Sequence, residues 1–188
     1  MTGARALTDK EIRLVLAQCN TRRHSARDRT LVQFSVLAGL RACELAALTV
    51  GDVYDEQGAA RNSALLQVGQ TKGHSARRVY INTELQRALK AYRPHMADTA
   101  HSAPLFATRF GTAFSANTMS QLFLDIYHSC GLHGCSSHSG RKTFITRLAD
   151  KGVAVHLLAA LAGHKHISTT QRYITVNEAL LTRAVELV

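Results

Sequence analysis

Apolar positions recur with helical spacing along most of the chain. Thr8-Asp9-Lys10-Glu11 has the form of a capping box, so a helix is expected from there to about Asn20. Ser25-Ala-Arg-Asp28 offers a second N-cap ahead of a broad apolar set, which predicts a buried helix that Gly39-Leu40-Arg41 interrupts. The same spacing predicts further helices over residues 42–48, 83–96, 117–130, 138–151, 155–161, 168–174 and 176–187.

The pattern changes between Ala64 and Ile81. Leu65, Leu66 and Val68 predict one strand, residues 78–81 predict another, and the polar residues 71–75 lie between them as a turn. Residues 105–114 are expected to hold a short strand or turn. The chain is therefore expected to be mainly α-helical with one small antiparallel β-sheet (α+β). This order of elements excludes a doubly wound α/β enzyme, and the sequence contains no Gly-rich phosphate loop.

Charge narrows the class of function. The 188 residues suit one compact domain, and 23 Lys and Arg against 13 Asp and Glu give a formal net charge of +10. Such an excess on a small domain is typical of proteins that bind nucleic acid. A ribosomal-type protein and a membrane-surface protein are the alternatives that charge alone leaves open.

Neither a membrane span nor a secretory signal is expected. No stretch approaches the ~18 apolar residues of a membrane helix, and the N-terminus lacks an apolar signal core, so a cytoplasmic protein is predicted. The four cysteines are interpreted as buried or partly buried thiols. Cys130-Gly-Leu-His133-Gly-Cys135 does not have the spacing of a zinc knuckle, so no metal site is expected.

Four separated segments place basic or nucleophilic side chains among apolar neighbours. They contain Arg41 (39–45), Lys72 (70–73), His138 and Arg141 (137–143), and His164 (161–165), which Tyr173 follows nine residues later. Together they resemble the tyrosine recombinases of the phage integrase family. That family's pattern is an Arg after a Gly-Leu, a Lys on a β-turn, His-x-x-Arg, Gly-His, and a Tyr about nine residues on. Any one of these features alone is weak, but all five occur here in order.

The resemblance implies the catalytic-domain fold of the tyrosine recombinases and a role in site-specific DNA recombination. Arg41 and Arg141 would each hold a non-bridging oxygen of the scissile phosphate, because a guanidinium stays charged and grips oxygens with its planar fork. Tyr173 would attack phosphorus and form a 3′-phosphotyrosine. That linkage stores the energy of the broken bond, so no cofactor, neither ATP nor metal, is expected.

The resemblance also assigns the proton-transfer groups. His138 would be the general base for the phenol or a proton-holding partner, and Lys72 the general acid for the leaving 5′ oxygen. His164 would hydrogen-bond the scissile phosphate. Lys72 is preferred to Lys142 because it lies on the turn between two strands, as in the family.

Four further charged residues are expected around this site. Glu44 is interpreted as holding Arg41 or a neighbouring helix, although a plain surface charge fits equally well. Arg77, Arg78 and Arg172 are expected to contact the DNA phosphate backbone, since such contacts dominate affinity without reading sequence.

Ordinary structural roles compete with each assignment. Arg41 could complement the C-terminus of the preceding helix, His138 could be an N-cap and Tyr173 a core aromatic. Lys72 could be a solvated charge and His164 a histidine at the end of a helix. Their joint occurrence argues against these roles.

The resemblance covers residues 1–188 as a single catalytic domain, with no N-terminal core-binding domain. The chain is expected to be a piece of a longer protein or one of the short members similar to fimbrial phase-switch recombinases, and Met1 favours the short form. Without a clamp on the other DNA face, binding should be weaker and more salt-sensitive, and a helper DNA-bending or directionality protein could assist it.

The expected assembly is a homotetramer on two sites in double-stranded DNA, in a bacterial, phage or mobile-element setting. Residues 176–188 are predicted to form an amphipathic helix that docks on a neighbouring subunit, or else folds back on its own core. Two other functions remain open, a type IB topoisomerase activity and a DNA-binding regulator without catalysis.

Overall fold

Helices dominate the fold, as the sequence predicts. A computed structural model of the chain describes residues 4–71, 76–96, 98–174 and 178–186. Its elements, in chain order, are α1 (Asp9–Cys19), α2 (Ser25–Leu37), α3 (Ala42–Ala47), α4 (Val50–Val53), β1 (Ser63–Leu66), a 3₁₀ turn (Val68–Gln70), β2 (Arg77–Tyr80), α5 (Thr83–Tyr92), a 3₁₀ turn (Arg93–His95), α6 (Ala116–His128), α7 (Ser139–Asp150), α8 (Val155–Ala162), α9 (Ile167–Gln171) and α10 (Glu178–Val185).

Helix starts follow the capping signals closely but not always at the predicted residue. Thr8 and Glu11 form the predicted capping box of α1. Ser25, predicted as an N-cap, is instead the first residue of α2. Thr83 was likewise expected to cap the helix over residues 83–96, but Asn82 caps α5 instead, its side chain accepting a hydrogen bond from the backbone N–H of Leu85. The short helix α4 was not predicted.

The predicted hairpin is present, but both strands begin and end earlier in the chain than predicted. Strands β1 and β2 pair antiparallel, with Ser63 opposite Tyr80 and Leu66 opposite Arg77. Val68, predicted in the first strand, lies in a 3₁₀ turn instead. Because side chains alternate between the two faces of a strand, Arg77 shares a face with the buried Val79, whereas Arg78 points to the exposed face.

The core forms around α2, which packs against α1, α5 and α7. Helix α7 approaches α2 so closely that a Cβ on Gly140 would lie 2.1 Å from Ser35 Oγ. Helix α6 crosses α3, and α8 packs against α7 and α9. These contacts bring the ends of α2, α3, α7 and α8 together. In the described part of the chain, no helix has the length and apolarity needed to cross a membrane.

The close approach of α7 to α2 predicts a loss of stability in Gly140→Ala. Overpacking costs about 1–3 kcal/mol, which should outweigh the roughly 1 kcal/mol that alanine gains over glycine in a helix. We expect the free energy of unfolding, measured by urea denaturation, to fall by about 1 kcal/mol or more. Gly134→Ala is the matched control, since its new Cβ would meet Arg5 at an ordinary 3.4 Å, and its stability should change by less than about 0.5 kcal/mol. An unchanged Gly140→Ala would contradict this packing.

Candidate active site

Arg41 begins helix α3 and is held by Glu44 one turn later. Gly39, with φ +65°, turns the chain at the end of α2 and so places Arg41 at the N-cap of α3. The Arg41 backbone N–H donates to Glu44 Oε2 at 2.8 Å, and Arg41 Nη1 donates to Glu44 Oε1 at 2.9 Å. The Glu44 carboxylate is fully buried. The alternative of a plain surface charge is therefore wrong, and Glu44 holds Arg41 as predicted.

Arg141 reaches the same place from the first turn of α7. Its Nη1 donates to the Gly39 carbonyl at 2.8 Å, and its Nη2 donates to the Ala162 carbonyl. The side chain is buried, with 4% of the residue exposed. The guanidinium therefore joins the end of α2 to the end of α8.

The C-terminal end of α8 accepts hydrogen bonds from three arginines. The carbonyls of its last residues have no partner within the helix, and the helix dipole makes this end negative. Each of three successive carbonyls accepts from one guanidinium. Leu161 O accepts a hydrogen bond from Arg77 Nη1 at 3.1 Å, and Ala162 O accepts one from Arg141 Nη2. Gly163 O accepts a longer hydrogen bond, of 3.4 Å, from Arg41 Nη2.

Gly163 is needed here for two reasons. It ends α8 in the left-handed region at φ +63°, where its own N–H and that of His164 close the helix. A Cβ on Gly163 would also lie 2.5 Å from Arg77 Cδ, so an arginine side chain passes directly over this residue. The Gly-His motif therefore places His164 immediately after a turn that carries the arginine cluster.

The cluster holds more positive than negative charge. Arg41 and Arg77 both pair with Glu44, and no other acidic partner of the three arginines occurs in residues that the structure describes. Burial, followed by the charge of Arg41, lowers the pKa of Arg141 to about 9, while Glu44 opposes this shift. The surplus charge makes the site favourable for an anion.

His164 and Tyr173 lie side by side at the edge of this cluster. His164 Nδ1 is 2.8 Å from the hydroxyl of the buried Thr170 on α9, which fixes the ring and directs Nε2 away from α9. The rings of His164 and Tyr173 stack with centroids 6.1 Å apart. Tyr173 is half-buried, so the alternative of a core aromatic does not fit.

His138 lies with Arg41 in a neighbouring cleft. Both line a cavity of about 400 Å³, whose other walls are the 3₁₀ turn after β1 and the first turns of α6. His138 is exposed and is the N-cap residue of α7, as the alternative role places it, but its side chain makes no capping hydrogen bond.

The remaining predicted residues fall into three groups. Lys72 lies outside the described residues. Arg78 and Arg172 are exposed, and Arg78 Nη1 also donates to Ser63 Oγ at 3.1 Å. Arg77 differs from the prediction, since its guanidinium points inward to Glu44, away from the surface where a phosphate contact was expected.

Sequence reasoning missed two neighbours of Tyr173. Thr170 carries no motif that separates it from any other threonine, and only the fold brings it to His164. Lys142, to which no chemistry was assigned, places its Nζ 6.0 Å from the centroid of the Tyr173 ring. Its position directly after Arg141 was the only available signal. No cluster of three or more His, Cys, Asp or Glu suited to a metal occurs among the described residues.

His164 should be neutral throughout the physiological range. Burial, followed by the charges of Arg141, Arg41 and Arg77, lowers the pKa of His164 to about 4 from an ordinary value near 6.5. In the DNA-free protein the ring should therefore take up a proton only as the pH falls toward 4. An NMR titration of the ring signals, assigned with His164→Gln, tests this. Titration near pH 6.5 would show that neither burial nor the arginine charges disfavour the protonated ring.

Comparison with known proteins tests the family resemblance. The phage integrase family profile matches residues 5–179. The chain is 26% identical over 155 residues to the tyrosine recombinase XerC of Pelobacter propionicus and 26% identical over 186 residues to XerA of Pyrococcus furiosus. These matches cover 82% and 98% of this chain. The chain spans 49% of the length of that XerC and 62% of that XerA.

Solved structures share the fold. The crystal structure of XerA recombinase superposes with a TM-score of 0.77 at 23% identity, covering 99% of this chain and 66% of that one. The Tn1549 transposon integrase in complex with a circular intermediate DNA gives 0.80 at 18% identity, covering 100% and 67%. The catalytic domain of bacteriophage HP1 integrase gives 0.67 at 19%, covering 98% and 95%. By its sequence and its fold, this chain belongs to the phage integrase family and has the tyrosine recombinase catalytic-domain fold.

Proposed function

We propose that this chain cleaves and rejoins DNA strands as a site-specific recombinase, through a 3′-phosphotyrosine on Tyr173. The observation that carries the proposal is the charge surplus beside the tyrosine. Three arginines lie in a largely buried site with one carboxylate, which pairs with two of them, and a phosphodiester supplies the missing negative charge. Donors that are already in position where charge develops are usually the largest single source of catalysis.

Arg41 and Arg141 are the proposed ligands of the scissile phosphate. Each has part of its guanidinium hydrogen-bonded to the protein, Arg41 to Glu44 and Arg141 to the Gly39 and Ala162 carbonyls. These bonds fix the planes of the two groups before DNA arrives. The energy of reorganising them is therefore not added to the reaction barrier.

Proton transfer is assigned to three other side chains. His138, exposed in the cleft beside Arg41, accepts the phenol proton as Tyr173 Oη attacks phosphorus. The bond to the 5′ oxygen breaks, and Lys72 gives that oxygen a proton. His164, neutral and oriented by Thr170, contributes a hydrogen bond from Nε2 to a phosphate oxygen. Rejoining reverses these steps on a new 5′ hydroxyl without ATP or metal.

Double-stranded DNA is the proposed partner, held partly by the exposed Arg78 and Arg172. The Tn1549 integrase, which shares the fold, was solved with DNA, and the net charge of +10 suits the same ligand. We propose that a homotetramer holds two sites, with help from a DNA-bending or directionality protein. Since the chain spans only part of its relatives, these assignments concern the catalytic domain.

Trapping on nicked suicide DNA tests the nucleophile. Duplexes tiled across the flanks of the protein's own gene are incubated with wild type or Tyr173→Phe, without metal or ATP, and separated on a denaturing gel. Wild type should give a slow-migrating covalent band that Tyr173→Phe lacks, because only the phenol oxygen can form the ester. A band that persists in Tyr173→Phe means that another residue is the nucleophile.

Product analysis on the trapped sequence separates the competing functions. Exchange of strands between two sites is expected for a recombinase. Relaxation of supercoils without strand exchange would instead indicate a type IB topoisomerase. DNA binding with no covalent band on any duplex would indicate a regulator that lacks catalysis.

We also propose that α10 docks on a neighbouring subunit. Leu181 and Val185 on this helix are 56% and 73% exposed. The helix makes no extensive packing with another element of the described residues. Most of the apolar side chains predicted for residues 176–187 lie outside what the structure describes, and Val185 is the described member. An exposed apolar helix face is what docking in a groove requires.

Deletion of residues 178–188 should then abolish pairing of two DNA sites and leave single-site binding unchanged, because only the contact between subunits is removed. A two-site bridging assay and a single-site gel shift measure the two properties. Leu181→Gln is the milder variant and should weaken bridging alone. If bridging survives the deletion, α10 is not the assembly element.

A further inference from the structure

Arg77 uses three of its nitrogens inside the protein. Nε and Nη2 donate to the two oxygens of Glu44 at 3.2 and 2.8 Å, and Nη1 donates to the Leu161 carbonyl at 3.1 Å. Only 11% of the side chain is exposed. A two-point contact between a guanidinium and a carboxylate fixes both groups in one plane. Arg77 therefore connects Glu44 to the end of α8.

Glu44 depends on Arg77 as much as on Arg41. Its two oxygens accept four hydrogen bonds, two from Arg41 and two from Arg77. Burial alone would raise the pKa of Glu44, but Arg77, and after it Arg41, bring that pKa below its ordinary value. Arg141 on α7 is the remaining charge that interacts with Glu44. Removing Arg77 would therefore leave a buried carboxylate with half of its donors.

Arg77 also touches the turn that leads to His164. Its side chain passes over Gly163, where even a methyl group would lie 2.5 Å from Cδ. Since α8 ends at this glycine, the contact sets the distance between the end of α8 and the sheet. The Arg77 side chain thus contacts both Glu44, which orients Arg41, and the turn at Gly163-His164.

We propose that Arg77 is a positioning residue that holds Arg41 and His164 in one frame, through Glu44 on one side and the end of α8 on the other. The role rests on the recombinase function proposed above, but it concerns geometry that exists without DNA. It replaces the surface role expected for Arg77, because a phosphate would have to displace Glu44 to reach its guanidinium.

Arg78 provides a matched control one residue along the same strand. It lies on the opposite, exposed face of β2. A phosphate contact there adds binding energy without orienting the site. Arg78→Gln should therefore weaken DNA binding and reduce its salt dependence, which is the behaviour that a lost phosphate contact produces.

Arg77→Gln should show the opposite behaviour. With the nicked suicide duplex at saturating protein, single-turnover formation of the covalent band should slow by about 10- to 100-fold, since small misplacements of reacting groups cost on this scale. The dissociation constant for DNA should change by less than about threefold, because the guanidinium does not bind phosphate. A normal cleavage rate with weakened, less salt-dependent binding would overturn the proposal and restore the phosphate contact.

NMR of the DNA-free protein tests the frame separately from the reaction. In Arg77→Gln, the Glu44 carboxyl should titrate at a higher pH than in wild type, because burial is no longer opposed by Arg77. The guanidinium signals of Arg41, assigned with Arg41→Lys, should shift. Unchanged Glu44 and Arg41 signals would overturn the proposal for Arg77, whatever the result of the cleavage assay. Absence of a covalent band with wild type would instead count against the recombinase function.

Arg77→Lys covers the case in which Arg77→Gln does not fold. Lysine keeps the charge but cannot contact both Glu44 oxygens and Leu161 O together. We expect a folded protein with a smaller loss of cleavage rate, a rise in the Glu44 pKa, and unchanged DNA affinity. Wild-type values for both the rate and the Glu44 pKa would overturn the proposal.

Discussion

The arrangement of the active site depends on one buried carboxylate. Glu44 is fully buried, and its two oxygens are shared between Arg41 and Arg77. Desolvating a carboxylate costs several kcal/mol unless cations and hydrogen bonds compensate, so Glu44 requires both arginines. In turn, Glu44 fixes the positions of both guanidinium groups. Arg41 belongs to the start of α3 and Arg77 to β2, and Glu44 is the group through which these two elements orient each other.

The end of α8 completes this arrangement. A helix C-terminus carries partial negative charge and unsatisfied carbonyls, both of which suit guanidinium groups. Here three arginines from α3, β2 and α7 converge on Leu161, Ala162 and Gly163. The carbonyls supply hydrogen bonds without adding a full negative charge. The site is therefore held rigidly and keeps a cation surplus, which is the property that a phosphodiester substrate requires.

Two adjacent arginines on β2 illustrate how one strand serves two purposes. Arg77 faces the interior and contacts Glu44 and the end of α8, whereas Arg78 lies on the exposed face. His164 likewise has one side held by the protein. The buried Thr170 contacts its Nδ1, and Nε2 is left for a ligand. The geometry of this site thus relies on buried polar partners as well as on the candidate catalytic side chains themselves.

The sequence by itself determined the class of the fold and the identity of the main candidates. Capping at Thr8, the apolar stripes and the hairpin pattern are local signals, and they predicted most of the elements. The five motifs are also short, so Arg41, Lys72, His138, Arg141, His164 and Tyr173 could be chosen without coordinates. Only the tertiary structure decided that Arg77 points inward, that Thr170 holds His164, and why residue 163 is glycine. Arg77, for example, contacts a carbonyl 84 positions along the chain, and a shift of one residue along β2 would exchange Arg77 and Arg78. Packing alone decides such pairings, because no local preference distinguishes one arginine from its neighbour.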